Sequence, residues 1–281
     1  MRWLKLAYLL VGLGLLAAVL SYAELDAVGT HIAKIGFGIV PLAAIAVAIQ
    51  ATDVFTWRMV LPVGPPGLAW FTRLLAVRLA GEAFNSVIPA AGLGGEPLKA
   101  VLLNRHYALP YRDAIASLVL VRTVNMLTQL VFVAGGIAFG IFVMERSRSI
   151  LPYALAGFAF LVVAAAIVFS IQRFKLSSRF LALFGRRIVA RFAAFIAALQ
   201  DVEARLIQFY TSGYVRFAAT AAISLATWFI GAFEVWTIMR VLRAPVSFQE
   251  AWVIEAAVQL VRSAAFLIPG SLGAQEGVFV L

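Results

Sequence analysis

The stretch that decides the fold runs from Arg78 to Leu103 and reads RLAGEAFNSVIPAAGLGGEPLKAVLL. It is mostly apolar, yet it contains Pro89 and a run of glycines that ends at Gly95. Proline removes a backbone donor and clashes with the preceding helical turn, and glycine frees the backbone from helical geometry. The stretch therefore predicts a helix, a break and a second, short helix. In a membrane, such a break is stable only where it is buried in protein or lines a wet cavity.

A similar stretch returns at 262–281, which reads RSAAFLIPGSLGAQEGVFVL. Pro89 and Pro269 lie 180 residues apart, and each is followed by small residues and, seven positions on, by Glu96 or Glu276. Two interrupted apolar segments in corresponding positions are typical of a transporter binding site. The alternative is a chance likeness of two loops, and the recurrence of charges in register favours the transporter.

The composition of the 281 residues predicts the class of protein. Hydrophobic residues make up 63% of the chain and charged residues only 13%, and the net charge is +10. A soluble domain keeps about a quarter of its residues charged, so the composition predicts an integral membrane protein. The excess of Lys and Arg fits cytoplasmic loops beside anionic headgroups better than a nucleic-acid partner. Because there is no Cys and there are only two His, we expect no metal site and no cofactor.

Apolar segments along the chain predict an all-α, polytopic helical bundle that forms a single domain over 1–281. The predicted spans are 6–23, 37–61, 113–144, 151–172 and 217–241, with a last apolar segment at 248–267. The first span is interpreted as a retained helix rather than a signal peptide, because its apolar run is long and its cleavage site is weak. The basic stretch at 173–216 fits an amphipathic helix on the cytoplasmic membrane surface or a connector packed on the bundle.

The distribution of positive charge predicts the topology. We expect the N-terminus, 105–112 and 173–216 on the cytoplasmic side, because Lys and Arg collect there. If 70–112 enters and leaves the membrane on one side, three spans separate it from the second interrupted segment. The two re-entrant segments would then enter from opposite faces as an inverted repeat, which supports alternating access. The inference fails if either segment crosses the membrane completely.

Charged side chains within the apolar segments indicate the site. Each such charge costs about 3 kcal/mol at the bilayer centre, so it normally pairs or faces a cavity. We predict a polar cavity at mid-depth for a charged lipid headgroup, with Lys99, Arg122 and Arg262 at its phosphate. Glutamates would balance these cations, bind a cationic part of the headgroup or carry a coupling proton. The glutamates in question are Glu82, Glu96 and Glu276. The alternative is a set of internal salt bridges that only hold the bundle together.

Enzymatic signatures do not occur in the sequence. The glycine-rich segment 92–95 is not followed by Lys-Ser/Thr, so it is no phosphate-binding P-loop. Neither a zinc-binding HExxH motif nor a Gly-x-Ser-x-Gly nucleophile motif is present. We therefore predict no catalytic residue and no enzyme.

Three motifs carry a resemblance to a known family: GEAFNSVIPAAGLGGEPLKAVLL at 81–103, VLVRTVNMLTQ at 119–129 and LIPGSLGAQEG at 267–277. Together they resemble the lysylphosphatidylglycerol synthase transmembrane, or flippase-like, family, which includes hopanoid-associated membrane proteins. The resemblance implies a bundle with two re-entrant segments that translocates a polar or anionic lipid across the bacterial inner membrane. The motif positions that it transfers to this chain are Glu82, Asn85, Pro89, Gly94, Gly95, Glu96, Pro269, Gly273 and Glu276.

Two departures from the family pattern limit what the resemblance implies. No soluble aminoacyl-transferase domain follows, so synthase activity is not expected, and the chain stops at Leu281, where another helix is expected. The lipid is left open between an anionic phospholipid, a polyprenyl-linked lipid and a hopanoid. Two alternatives are a non-transporting partner of a lipid-modifying or glycosyl-transferring enzyme and a membrane-embedded enzyme acting on a headgroup. A homo-oligomer is compatible with each of these hypotheses.

Overall fold

The computed structural model describes residues 35–61, 67–87, 94–143, 151–173, 203–205, 207–209 and 213–264. These residues are about 92% helical and contain no strand, which confirms the predicted all-α class. After a short 3-10 turn at Gly36–Gly38, the longer helices within the described ranges are α1 (Ile39–Val60), α2 (Leu68–Val87), α3 (Gly95–Tyr107), α4 (Tyr111–Val143), α5 (Leu151–Arg173), α6 (Tyr214–Val241) and α7 (Phe248–Ala264).

Four helical segments are long and apolar enough to cross a membrane. They are Gly36–Val60, Tyr111–Ile141, Leu151–Ile171 and Tyr214–Val241. Each corresponds to one of the predicted spans, so the long apolar helices predicted at these positions are confirmed. The predicted span at 6–23 lies outside the described residues, as does most of the basic stretch at 173–216.

The stretch that decides the fold forms two helices on either side of its Pro/Gly segment. Helix α2 ends at Val87 and α3 begins at Gly95, while Pro89 lies outside the described residues. Helices α2 and α3 approach so closely that a Cβ built on Gly95 would lie 2.0 Å from the carbonyl oxygen of Gly81. A glycine is therefore required where the two backbones meet.

The second interrupted segment, with Pro269, Gly273 and Glu276, lies outside the described residues. The re-entrant course of the two segments and the inverted repeat stay predictions.

Helix α4 is the centre of the bundle. Helices α1, α3, α5, α6 and α7 all pack against it, and α6 also packs against α1 and α7. Helix α2 packs against α1 and α3. One apolar cluster joins the four helices α1, α2, α3 and α4 around Trp57 and Leu74. A second joins α4, α5, α6 and α7 around Phe132 and Leu260.

The outer surface of the bundle is apolar. Helix α5 exposes Tyr153, Phe160, Val163 and Ile167, and α4 exposes Val131. In water such side chains would favour association, whereas in a bilayer they contact acyl chains at no cost. The exposed apolar side chains therefore agree with a bundle that is embedded in lipid.

Candidate functional site

A polar cavity of about 420 Å³ lies inside the bundle, between α1, α2, α3, α4, α6 and α7. Several of its lining residues come from the interior of candidate spans, such as Asp53 on α1, Asn125 on α4 and Thr227 on α6. Its lining includes four cationic and five acidic side chains, which are Arg78, Lys99, Arg122, Arg262, Asp53, Glu82, Glu96, Glu234 and Glu255.

The cavity brings together predicted site residues that are far apart in the sequence. Glu82 and Arg262 are 180 positions apart and both line it. Glu96, Lys99 and Arg122 line it as well. Sequence analysis thus selected five residues that share one cavity, although their roles there stay predictions.

Two further predicted residues support the cavity at the junction of α2 and α3. The Gly95 backbone N–H donates to the Asn85 side-chain oxygen at 2.5 Å, and the Asn85 amide nitrogen lies 3.4 Å from the Glu82 carboxylate. Gly94 precedes α3 as its N-cap residue. Asn85 therefore caps the start of α3 and at the same time contacts a carboxylate of the cavity wall.

On the side formed by α2 and α3, the ammonium group of Lys99 is bound by two carboxylates. Its Nζ donates to Glu82 Oε1 at 2.8 Å and to Glu96 Oε1 at 2.9 Å. Lys99 is only 3% exposed, and its aliphatic stem crosses Gly81, where an added Cβ would lie 2.3 Å from Lys99 Cε. The ion pair between Lys99 and Glu82 therefore connects α3 to α2 where the two helices approach closely, while Glu96 binds Lys99 from the same helix.

A second ion pair connects α2 to α1. Arg78 pairs with the carboxylate of Asp53, and its Nε donates to Gln50 Oε1 at 2.8 Å. Neither Asp53 nor Arg78 was among the predicted site residues. An acidic side chain within a long apolar segment is a signal for a partner, but the sequence does not show which helix supplies it.

The opposite side of the cavity, on α4 and α6, is organised by neutral side chains. The Trp228 indole Nε1 donates to Thr128 Oγ1 at 3.1 Å, and Thr128 Oγ1 lies 2.8 Å from Ser224 Oγ. Ser224 Oγ donates to Asn125 Oδ1 at 2.5 Å. Asn125 and Arg122, which are three residues apart and so share one face of α4, both line the cavity.

On the same side of the cavity, helices α6 and α7 carry two carboxylates that sequence analysis did not select for the site. Glu255 Oε1 accepts a hydrogen bond from Gln259 Nε2 at 2.6 Å, and it lies against Gly231 of α6. Arg262 interacts electrostatically with both Glu234 and Glu255. Within the described part of the chain, no group of three or more acidic, His or Cys side chains could hold a metal ion.

The fold and the cavity define a polytopic α-helical membrane protein with a charged internal cavity. Residues 5–281 match the model of the family described as the lysylphosphatidylglycerol synthase TM region, and the chain belongs to that family. This family makes it a membrane protein related to lipid synthesis or lipid flipping, and it confirms the resemblance carried by the three motifs. No match was found among curated proteins or among solved structures.

Proposed function

We propose that the protein binds a polar or anionic lipid and translocates it across the bacterial inner membrane, with the headgroup in the internal cavity. The observation that carries the proposal is a cavity lined by nine charged side chains within a bundle that has four candidate membrane spans. Membership of a family related to lipid synthesis or flipping supports it.

The energetic problem of lipid translocation explains why such a cavity is useful. A phosphate that crosses the hydrocarbon core alone loses its hydration, at an idealised cost of order 20 kcal/mol. Guanidinium groups replace that hydration with charge-assisted hydrogen bonds, which are roughly twice as strong as neutral ones. In this proposal Arg122 and Arg262 contact the anionic part of the headgroup.

The size of the cavity supports a headgroup rather than a whole lipid as its occupant. Its volume of about 420 Å³ lies in the lower half of the range of roughly 300–1,000 Å³ for small-molecule sites. The apolar outer surface of the bundle suits the acyl chains, which would stay in the bilayer while the headgroup moves. Anionic phospholipids and polyprenyl-linked phosphates both fit this description.

The paired side chains of α2 and α3 have a different role in the proposal. Lys99 already donates to Glu82 and Glu96, so its ammonium group holds the cavity wall together rather than binding phosphate.

We assign the N-terminus to the cytoplasmic side, because the basic segments of the chain favour that side.

A liposome assay tests translocation directly. Purified protein is reconstituted with lipids that carry a fluorescent headgroup label, and a membrane-impermeant quencher reports the fraction of label in the outer leaflet. We expect the wild type to move an anionic lipid between leaflets, and Arg262→Gln and Glu96→Gln to slow this movement. Arg105→Gln is the matched control, because Arg105 is exposed on α3 and does not line the cavity.

Failure of folded wild-type protein to move any of the lipid classes would contradict the proposal. In that case retention of a lipid-modifying enzyme by the protein would favour the non-transporting partner hypothesis. Equal rates for Arg105→Gln, Arg262→Gln and Glu96→Gln would exclude the cavity as the route.

A further inference from the structure

We infer that Arg122 and Asn125 form an oxyanion site that binds the phosphate of the headgroup, and that a hydrogen-bonded chain of three side chains orients Asn125 for it. The members of this chain are Trp228, Thr128 and Ser224. The inference rests on the proposed function, since it names the ligand chemistry and the recognising residues of the same cavity.

Arg122 is available to an anion, because no described carboxylate forms an ion pair with it. Lys99 is bound by two carboxylates and Arg78 by one, and Arg262 shares its wall with Glu234 and Glu255. In contrast, no ion pair joins Arg122 to any carboxylate among the described residues. An exposed guanidinium that faces a cavity presents planar donors that match a phosphate.

The hydrogen-bonded chain has a direction that follows from its donors. An indole N–H can only donate, so Trp228 donates to Thr128 Oγ1. An amide carbonyl oxygen can only accept, so Ser224 gives its single hydrogen to Asn125 Oδ1. The Thr128 hydroxyl can donate to Ser224 Oγ at 2.8 Å, and the backbone carbonyl oxygens of Val124 and Asn125, each 3.0 Å from Thr128 Oγ1, are further acceptors for it. The Asn125 carbonyl oxygen is therefore the acceptor at the end of the chain.

This direction fixes which end of the Asn125 amide faces the ligand. Because Oδ1 is bound to Ser224, the Nδ2 donors are left for the cavity that Asn125 lines beside Arg122. Ser224 is 1% exposed and Thr128 is 5% exposed, so water does not compete for these hydrogen bonds. A guanidinium and an oriented amide on one helical face thus provide several donors to one oxyanion.

The first test measures ligand binding to the purified, full-length protein in detergent. The probes are a short-chain phosphatidic acid, the matching short-chain diacylglycerol without phosphate, and inorganic phosphate, each titrated by calorimetry. We expect the phosphatidic acid to bind and the diacylglycerol to bind at least about tenfold more weakly, as expected for loss of charged hydrogen bonds. Inorganic phosphate that binds as tightly as the lipid would overturn the assignment to a lipid headgroup.

The variant Asn125→Asp separates recognition from a structural role. Aspartate keeps an oxygen that accepts from Ser224, but it loses the Nδ2 donors and adds a negative charge. We expect at least about a tenfold loss of affinity for the phosphatidic acid, and a similar loss for Arg122→Gln. Unchanged affinity in Asn125→Asp would overturn the site, because a purely structural asparagine tolerates this change.

The variant Thr128→Val tests the positioning chain, since it removes the hydroxyl and keeps the shape. We expect affinity to fall by roughly threefold to tenfold and to be restored in Thr128→Ser, which keeps the hydroxyl. Thr52→Val is the matched control, because Thr52 on α1, like Thr128, donates to two carbonyl oxygens of its own helix but does not line the cavity. Equal losses in Thr128→Val and Thr52→Val would overturn the chain.

These results are distinguishable from a failure of translocation. Binding with the expected variant effects, but no lipid movement in liposomes, supports the oxyanion site and contradicts the proposed function. Lipid movement in the wild type, with unchanged affinity in Asn125→Asp and Arg122→Gln, contradicts the oxyanion site alone. Thermal unfolding of each variant in detergent confirms that a loss of affinity is not a loss of fold.

Discussion

The two sides of the cavity handle their charges in different ways. On the paired wall, formed by α1, α2 and α3, Lys99 is bound by Glu82 of α2 and by Glu96 of its own helix, and Arg78 is bound by Asp53 of α1. On the open wall, formed by α4, α6 and α7, neutral side chains orient Asn125, and Arg122 forms no ion pair with a described carboxylate. Similar charges in one cavity therefore have two roles, which are holding helices together and presenting donors to a ligand.

Desolvation accounts for this division. A cation that is bound by carboxylates in a buried place is costly to separate from them, because the remaining charges stay without partners. Such a cation is a poor ligand group and a good connection between helices. A cation that forms no ion pair is tolerated only where water or a ligand reaches it. Arg122, which pairs with no carboxylate among the described residues, is exposed at the cavity.

The largest effect that we expect concerns the helix contact beneath the paired wall. In Gly95→Ala the added methyl group would lie 2.0 Å from the Gly81 carbonyl oxygen, so α2 and α3 must separate. We expect the free energy of unfolding to fall by about 3 kcal/mol, the upper end of the usual cost of overpacking, because the obstacle is backbone. Denaturant titration in detergent micelles measures this change.

The matched control for the glycine contact is Gly157→Ala on α5. Its added methyl group would lie 3.5 Å from the nearest atom, a side-chain carbon of Leu260, and alanine favours a helix over glycine. We expect unchanged or slightly higher stability. Similar losses for both variants would show that the paired wall is no more tightly packed than the lipid-facing helix.

The next effect concerns the charge of Lys99. In Lys99→Met, Glu82 and Glu96 lose their shared cation, but water reaches them, because the Glu82 side chain is 41% exposed. We expect a loss of about 2 kcal/mol, between roughly 0–1 for exposed pairs and roughly 3–5 for fully buried pairs. In Arg105→Met, the exposed control on the same helix, we expect a change within about 0.5 kcal/mol.

The variant Lys99→Met also tests whether the two walls have different roles. If Lys99→Met abolished binding of phosphatidic acid and left the free energy of unfolding unchanged, Lys99 would act as a ligand group. The paired wall and the open wall would then share one role.

The smallest effect that we expect lies at the start of α7, which carries Glu255 and Arg262 to the open wall. Ser247 and Glu250 form a capping box: the Ser247 N–H donates to Glu250 Oε2 at 2.7 Å, and the Glu250 N–H donates to Ser247 Oγ at 3.2 Å. Hydrogen bonds from the backbone and the hydroxyl of Ser247 hold the pKa of Glu250 below its usual value of 4.5. We expect Ser247→Ala to lower the free energy of unfolding by about 1 kcal/mol at neutral pH.

The sign of the pH dependence follows from the lowered pKa of Glu250. The carboxylate stabilises the fold fully above pH 4.5, the value for the unfolded chain, and this contribution is lost as pH falls through the lower pKa of the folded state. The difference between wild type and Glu250→Gln should therefore shrink in acid, as measured by unfolding at neutral and at acidic pH. A difference that is independent of pH would contradict the capping role of the carboxylate.

Local chemistry accounts for the class of protein, the four candidate spans and the break between α2 and α3. Long apolar windows, Pro89 and the glycines up to Gly95 act on their own segment of chain, and their effect can be predicted without knowledge of the partner helices. The cost of charge in an apolar segment also selected Glu82, Glu96 and Arg122 for the cavity before any fold was known.

Long-range packing accounts for the partners of these residues. Arg78 and Asp53 are 25 positions apart, and Asn125 and Ser224 are 99 apart, so no local pattern joins them. Glu234 and Glu255 line the cavity because of the way in which α6 and α7 are rotated about α4. The rotation and tilt of a helix are set by all its contacts together, and for this reason the composition of each helix predicts a buried charge but not the residue that it meets.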